Sequence, residues 1–321
     1  MQTYLKTKPV WIQILLFLGM AFGILMALFL IGSLILTQIT GISLFQMGDV
    51  SQWDASNPKT FVAIRGMLLL QFLGLFLIPS LLFAYFSDPQ PAQYIGLKAP
   101  YKNGYWILGI AIMLVAIPFV EFTGMINKNI HFGKGVQGWA QSMEDEATKT
   151  IQFMLSDHSV SNLLFNIVFI AAFAGIGEEL FFRGVLQRLL IKSTRSPWTG
   201  IILAAFFFSF FHFQFFGFIP RLLLGILLGA IYWYSGSIWP AILAHFVYDA
   251  FIITLAYFNP QMIQNPDASI VDKTYLGIGA LVSLALVGGI LWWMKKNSEA
   301  SYAAIYAGDD EDNPSENNFT F

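Results

Sequence analysis

The chain has 321 residues, of which 56% are hydrophobic and only 11% charged, and its formal net charge at pH 7 is −2. Soluble domains carry about 25% charged residues, so this composition, with a mean hydropathy of +0.64, indicates a polytopic membrane protein. The weak net charge offers no basic field for nucleic acid. The absence of cysteine excludes disulfides, thiolate nucleophiles, cysteine-ligated zinc and iron–sulfur clusters.

Apolar segments of about 20 residues can cross a bilayer as helices, and the sequence predicts eight of them in an all-α transmembrane bundle. They lie at about 11–39, 60–86, 104–123, 161–191, 198–219, 221–235, 238–258 and 274–294. The first run is too long for a signal-peptide core and lacks a clear cleavage site, so we expect it to be retained. The sixth is short, and we expect it to be a tilted or partial span.

The predicted spans divide the chain into four parts: 1–159 with three spans and a long loop, 160–258 with spans four to seven, 259–296 with the last span, and a tail at 297–321. Within the loop at 124–160, residues 138–155 mix polar and apolar positions at helical spacing. This pattern predicts an amphipathic helix that lies at the membrane interface or packs on the bundle. The tail is polar and acidic, and we expect it to be disordered.

The distribution of lysine and arginine predicts the orientation of the chain. Nine of these residues fall on the side of the membrane where the predicted spans place the N-terminus: Lys6, Lys8, Lys98, Lys102, Arg188, Lys192, Arg195, Lys295 and Lys296. Six fall on the other side: Lys59, Lys128, Lys134, Lys149, Arg221 and Lys273. Because positive residues are enriched in cytoplasmic loops, we expect both termini to be cytoplasmic and the long loop to be extracytoplasmic.

Several ionisable residues fall inside the predicted spans, where each charge costs on the order of 3 kcal/mol even on the gentlest insertion scale. They are Arg65, Glu121, Glu178, Glu179, Arg183, His212, His245 and Asp249. Arg65 and Glu121 lie near the outer ends of spans two and three, and we expect them to pair with each other or to reach the interface. The other six fall in spans four, five and seven and are the candidates for function.

The stretch AGIGEELFFRGVL at 174–186 contains three of these six residues. Glu179 and Arg183 are four residues apart, so they share a helix face and can form an ion pair. Glu178 is rotated from Glu179 by about 100° in an α-helix, which leaves it without an obvious local partner. A desolvated carboxylate of this kind is a candidate general base.

The two histidines within spans provide possible partners for Glu178. His212 follows Phe208 by four residues, and His245 precedes Asp249 by four, so Asp249 can fix the tautomer of His245 or share a ligand or metal with it. At about 1.5 Å per residue, these groups are expected to meet in the central to cytoplasmic part of the bilayer. The set suits water activation, with or without a divalent metal. Glu178, His212 and His245 are candidate zinc ligands.

The three patterns Glu178-Glu179-x-x-x-Arg183, Phe208-x-x-x-His212 and His245-x-x-x-Asp249 together resemble the CPBP (Abi) family. That family contains the type II CAAX prenyl endopeptidases and proteins linked to bacteriocin processing and immunity. The resemblance covers about residues 160–255 and implies an intramembrane endopeptidase in a bacterial inner or cell membrane. Its substrate would be a peptide or a protein, with or without a prenyl group.

The resemblance also implies roles for individual residues. Glu178 and His212 would activate the attacking water, His245 and Asp249 would stabilise the oxyanion or orient the site, and Glu179 and Arg183 would brace the helix. The family has been classed both as metalloproteases and as glutamate proteases, so the resemblance leaves open whether the protein binds zinc. The last motif position is asparagine in the prenyl-protease branch, and Asp249 departs from that pattern.

The sequence thus favours an endopeptidase that cleaves a peptide bond near the cytoplasmic leaflet. Two other classes remain alternatives. One is a non-catalytic immunity or secretion scaffold that binds a peptide in the same cavity. The other is a proton-coupled transporter that uses glutamate and histidine as a relay, which an inverted repeat or paired broken helices would favour; the sequence displays neither. The sequence does not indicate the oligomeric state.

Overall fold

The computed structural model describes residues 3–130, 133–264 and 270–301, and the regular structure in this part of the chain is entirely helical. Nine helices dominate: α1 Val10–Thr40, α2 Pro58–Ser87, α3 Gly104–Lys128, α4 Lys134–Met154, α5 Val160–Thr194, α6 Pro197–Phe210, α7 Phe218–Ser235, α8 Trp239–Phe258 and α9 Leu276–Lys296. Shorter helical turns lie at Leu44–Gly48, Val50–Gln52, Pro91–Tyr94, Phe215–Gly217 and Gln261–Gln264. Most of the predicted acidic tail, 302–321, lies outside the described residues.

Among the described residues, seven helices are long and apolar enough to cross a membrane, which confirms the predicted all-α polytopic bundle. The prediction was wrong about which span is short. The sixth predicted span belongs to a segment of 21 residues, Phe215–Ser235, whereas α6 in the fifth has only 14 residues. The apolar run of the fifth span continues past Phe210, but the chain turns there, so hydropathy alone overestimates the length of α6.

Among the described helices, α1–α3 and α5–α9 alternate in direction, whereas α4 lies on one side of the bundle. The bundle therefore has two faces. We call the first the terminal face, made of 3–9, 88–103, 195–196, 236–238 and 297–301. Contacts among these segments include the Lys6 Nζ to Asp88 Oδ2 ion pair at 2.7 Å and the hydrogen bond that Lys102 donates to Asn297 at 3.0 Å. The N-terminus and the end of α9 therefore lie on the same side of the bundle.

The second face, which we call the loop face, consists of 41–57, 133–159, 211–217, 259–264 and 270–275. Asn127 at the end of α3 donates to the carbonyl of Phe215 at 2.7 Å, and Tyr257 at the end of α8 donates to the carbonyl of His158 at 2.7 Å. The helix predicted between 138 and 155 forms as α4. The Trp139 ring lies 5.0 Å from that of Phe215, so α4 packs against the turn between α6 and α7.

The expected pairing of Arg65 with Glu121 is wrong. Arg65 donates a hydrogen bond to the amide oxygen of Asn162. Glu121 accepts hydrogen bonds from the backbone N–H groups of Ile270 and Val271, at 2.7 and 3.1 Å. Each side chain thus connects its own helix to a neighbouring segment, although Nε of Arg65 is buried without a hydrogen-bond partner among the described residues.

Candidate active site

The helix that carries both candidate carboxylates is wound more widely than an α-helix. In α5, the segments Ile167–Ala172 and Ala174–Gln187 are π-helical, with hydrogen bonds from residue i to i+5. More residues per turn means a smaller rotation between neighbours than the 100° of an α-helix. Glu178 and Glu179 still have different partners: Glu178 lies near His212, whereas Glu179 contacts Arg183 and His245.

Glu179 and Arg183 form an ion pair, with Nη1 of Arg183 2.7 Å from Oε1 of Glu179. Both side chains are almost fully buried, at 0% and 1% exposure. Arg183 also donates to the carbonyl of Gly225 at 3.1 Å, and its guanidinium carbon lies 4.5 Å from the centre of the Phe208 ring. Arg183 thus connects α5 to α6 and α7, and Glu179 balances its charge within the buried core.

His245 on α8 lies between two carboxylates. Its Nδ1 is 2.9 Å from Oε1 of Glu179, and its Nε2 is 3.4 Å from Oδ2 of Asp249. A neutral imidazole carries one N–H, so His245 can donate to both carboxylates at once only as the imidazolium. Sequence spacing indicated the contact with Asp249 but gave no signal of the contact with Glu179, because it joins two different helices.

His212 lies beyond the end of α6 and not inside a spanning helix. The α6 helix ends at Phe210, and Phe213 has a left-handed backbone with φ of 54°, so the chain reverses direction around His212. The Nδ1 of His212 is 2.6 Å from the carbonyl oxygen of Phe208. Because a carbonyl can only accept, this contact assigns the ring proton to Nδ1 and leaves the Nε2 lone pair free.

The free nitrogen of His212 faces Glu178. Nε2 of His212 is 3.9 Å from Oε2 of Glu178, which is too long for a direct hydrogen bond. Within the described part of the chain, this carboxylate oxygen is buried and has no hydrogen-bond partner. Two acceptors separated in this way can receive the two hydrogens of one water molecule.

Phe208 holds the two histidines in one arrangement. Its ring centre lies 4.9 Å from that of His212 and 5.9 Å from that of His245. The aromatic side chain at this motif position therefore fills the space between the two imidazoles and shields the Arg183 guanidinium. The sequence predicted that Phe208 sits one turn before His212 but not that it contacts both histidines.

A cavity of about 500 Å³ opens onto Glu178 and His212. Its walls come from α1, α2, α5 and the turn after α6, and they are mostly apolar: Leu18, Ala21, Phe22, Gln71, Leu75, Phe76, Glu178, Phe181, Phe182, Phe211, His212 and Phe213. Gln71 also lines a smaller cavity of about 180 Å³ that reaches Glu178 from the side of α4. Sequence analysis missed Gln71 because it considered only ionisable residues, although an amide within an apolar run was a visible signal.

Glu178, His212, His245 and Asp249 come together beside the turn that follows α6. Nε2 of His212 is 3.9 Å from Oε2 of Glu178, and Nε2 of His245 is 3.4 Å from Oδ2 of Asp249. Their depth in the bilayer stays a prediction.

The candidate zinc ligands were tested against this geometry. A carboxylate and two imidazoles are donor types that zinc takes. However, among the described residues no group of three histidine, aspartate or glutamate side chains is arranged to hold a metal ion. Nδ1 of His212 contacts the carbonyl of Phe208 and Nδ1 of His245 contacts Glu179. Metal-bound histidines are held in the same way, so only Nε2 of each ring could bind a metal. Because the described side chains do not converge on one metal position, the steps below use only the protein's own groups.

Comparison with known proteins is consistent with the motif resemblance. Residues 160–251, from α5 through most of α8, match the family described as type II CAAX prenyl endopeptidase Rce1-like. No curated protein and no solved structure is found to be similar to the chain. The match includes all six residues of the candidate site, whereas α1–α4 and α9 lie outside it.

Proposed function

We propose, from the match of residues 160–251 to the Rce1-like family of type II CAAX prenyl endopeptidases, that the protein is an intramembrane endopeptidase in which Glu178 and His212 activate water. The observation that carries the proposal is the 3.9 Å gap between Glu178 Oε2 and His212 Nε2. Both acceptors line the same cavity, and that cavity is large enough for a peptide segment.

In the proposed mechanism, a water molecule binds in this gap and donates one hydrogen to each acceptor. Its lone pair then points away from both groups, toward a carbonyl carbon of a peptide in the cavity. Glu178 takes one proton as the oxygen attacks, and the fixed Nδ1–H of His212 keeps Nε2 aligned as the second acceptor. The apolar walls exclude other water, which strengthens these electrostatic interactions.

His245 is proposed to stabilise the negative charge that develops on the carbonyl oxygen. Glu179 fixes one side of the ring, and Asp249 lies at 3.4 Å from Nε2, a contact long enough to be exchanged for a stronger one to an oxyanion. Asp249 therefore acts as an orienting acceptor and not as an oxyanion donor. Glu178 then gives its proton to the leaving nitrogen as the carbon–nitrogen bond breaks, so the base is regenerated.

The experiment is cleavage of apolar peptides by purified protein in liposomes, with the products identified by mass spectrometry. We expect Glu178→Gln and Glu178→Ala to lose at least about 10²-fold in rate, the usual contribution of a positioned general base. Glu146→Gln, an exposed position on α4, is the matched control and should keep full activity. Full cleavage by Glu178→Ala would refute the scheme.

The same assay distinguishes the remaining alternatives. A scaffold that binds peptide without cleaving it would bind the peptides and give no products with wild-type protein. A transporter would move protons across the liposome and also leave the peptides intact. Matched peptides with and without a prenylated cysteine test CAAX-type processing, and bacteriocin-type leader peptides form a third set.

A further inference from the structure

Among the described residues that line the larger cavity, Gln71 is the one polar residue that the proposed mechanism does not use. The walls contain three polar side chains, Gln71, Glu178 and His212, and the other wall residues are apolar. Gln71 also lines the smaller cavity, again together with Glu178. It is thus present in the wall of both cavities that reach the candidate base.

The Gln71 amide lies within a membrane-spanning helix without a partner in the described part of the protein. Gln71 is near the centre of α2, Pro58–Ser87, and far from both ends of that helix. The residue is exposed, and its amide forms no hydrogen bond with any other described residue. An amide in apolar surroundings costs free energy unless it is hydrogen-bonded. We therefore expect its partner to be a molecule that enters the cavity.

Close packing fixes the position of Gln71 relative to Glu178. The residue directly after Gln71, Phe72, stacks on Phe173 of α5 with the ring centres 4.3 Å apart. Gly177, next to Glu178, permits this approach, because a methyl group at Gly177 would lie 2.9 Å from Cδ2 of Phe72, closer than two carbon atoms pack. The segment that carries Gln71 is therefore held against the segment that carries Glu178.

A peptide inside an apolar cavity needs partners for its main chain. Each peptide unit has an N–H donor and a C=O acceptor, and an unpaired group away from water costs free energy. In the proposed mechanism, Glu178 and His212 bind the attacking water, and the apolar walls offer no hydrogen bonds. A glutamine amide has both an acceptor oxygen and a donor NH2 group, which match one N–H and one C=O of a peptide.

We propose that Gln71 binds the main chain of the substrate beside the scissile bond. This inference rests on the proposed function. The amide oxygen of Gln71 accepts from a substrate N–H, and its NH2 group donates to a substrate C=O. The substrate class is then an extended peptide segment with apolar side chains that fit the apolar walls. A helical segment would not be bound in this way, because its main-chain groups are already paired within the helix.

The experiment measures peptide binding without cleavage. Full-length Glu178→Gln protein in lipid nanodiscs is titrated with a dansyl-labelled peptide of alternating alanine and leucine, with empty nanodiscs as background. Analogues carry an ester in place of each peptide bond in turn, which removes one N–H donor. All peptides are also measured with Gln71→Met added, which keeps the length of the side chain but lacks the amide.

We expect Gln71→Met to weaken binding of the all-amide peptide by about 10-fold, the effect of removing one partner of a buried hydrogen bond. The ester at one position should weaken binding to the Gln71 protein by about the same factor. The two changes together should cost no more than either alone, because both remove the same hydrogen bond. Unchanged binding by Gln71→Met, losses that add at every position, or no binding above that of empty nanodiscs would overturn the inference.

Gln13 in α1 provides the matched control, since it is a buried amide in an apolar helix that donates to the carbonyl of Lys8 at 2.7 Å. Gln13→Met should lower the unfolding temperature and leave peptide binding unchanged. Gln71→Met should do the opposite, and a fall in its unfolding temperature like that of Gln13→Met would show a structural role instead. A negative cleavage assay with the expected coupling would remove the proposed function alone. Cleavage by the wild-type protein with additive losses would remove this inference alone.

Discussion

The Nδ1 of His245 lies 2.9 Å from Oε1 of Glu179, the same oxygen that receives the ion pair of Arg183 at 2.7 Å. The carboxylate that spacing assigned to a structural pair thus also fixes the imidazole proposed to stabilise the oxyanion. The same carboxylate oxygen therefore contributes to the stability of the fold, through Arg183, and to the proposed chemistry, through His245. Substitutions of the three residues should therefore separate the two effects.

We predict that Arg183→Met destabilises the protein by about 3–5 kcal/mol, because it leaves the Glu179 carboxylate buried without its partner. Adding Glu179→Gln removes that buried charge and should recover much of the loss. The double variant should nevertheless cleave poorly, since a neutral amide holds His245 less firmly. Thermal unfolding in detergent and the liposome cleavage assay measure the two effects. Equal recovery of stability and activity would contradict a role of Glu179 in orienting His245.

Asp249→Asn tests the position at which this chain departs from the prenyl-protease pattern. An asparagine oxygen can still accept from Nε2 of His245, so we expect activity within about 10-fold of wild type, which corresponds to about 1.4 kcal/mol in the barrier. Asp249→Ala removes the acceptor and should lose substantially more. If Asp249→Asn is as inactive as Asp249→Ala, the carboxylate charge is needed, and the orienting role is wrong.

The geometry predicts that cleavage does not depend on a bound metal. Purified protein dialysed against a strong chelator should keep its rate, and subsequent addition of zinc should not raise it. The measurement is the rate before and after chelation, together with metal analysis of the same sample. A rate that falls on chelation and returns with zinc would show that Glu178, His212 and His245 rearrange to bind a metal.

Glu144 on α4 should make the packing of that helix sensitive to pH. Burial raises the pKa of Glu144 above its ordinary value, although the nearby Arg221 opposes the shift. A carboxyl with a raised pKa in the folded state holds its proton more tightly there, so its contribution to stability is present at low pH and falls as the pH rises through the shifted pKa. Hydrogen exchange of Lys134–Met154 should therefore speed up with rising pH beyond the intrinsic rate. Glu144→Gln should lack this additional dependence, and Glu146→Gln should keep it.

Spacing along the sequence was sufficient for contacts within one helix. The pairs Glu179–Arg183 and His245–Asp249 were predictable because residues four apart share a helix face. Contacts between helices, such as the one between His245 and Glu179, were not predictable, because spacing along the sequence does not show which helices pack together. The end of α6 was missed for a similar reason. Phe206 to Phe213 reads as one apolar run, and only the fold shows that the chain reverses within it.

The wide winding of α5 has a consequence for how the two carboxylates are positioned. Glu178 faces His212 and Glu179 faces His245, and the two glutamates are joined by a single peptide bond. Any change of this segment toward α-helical winding would rotate both carboxylates together, because their directions are set by the same backbone hydrogen bonds. In the proposed mechanism, the general base Glu178 and the anchor of His245, Glu179, would then move in the same step.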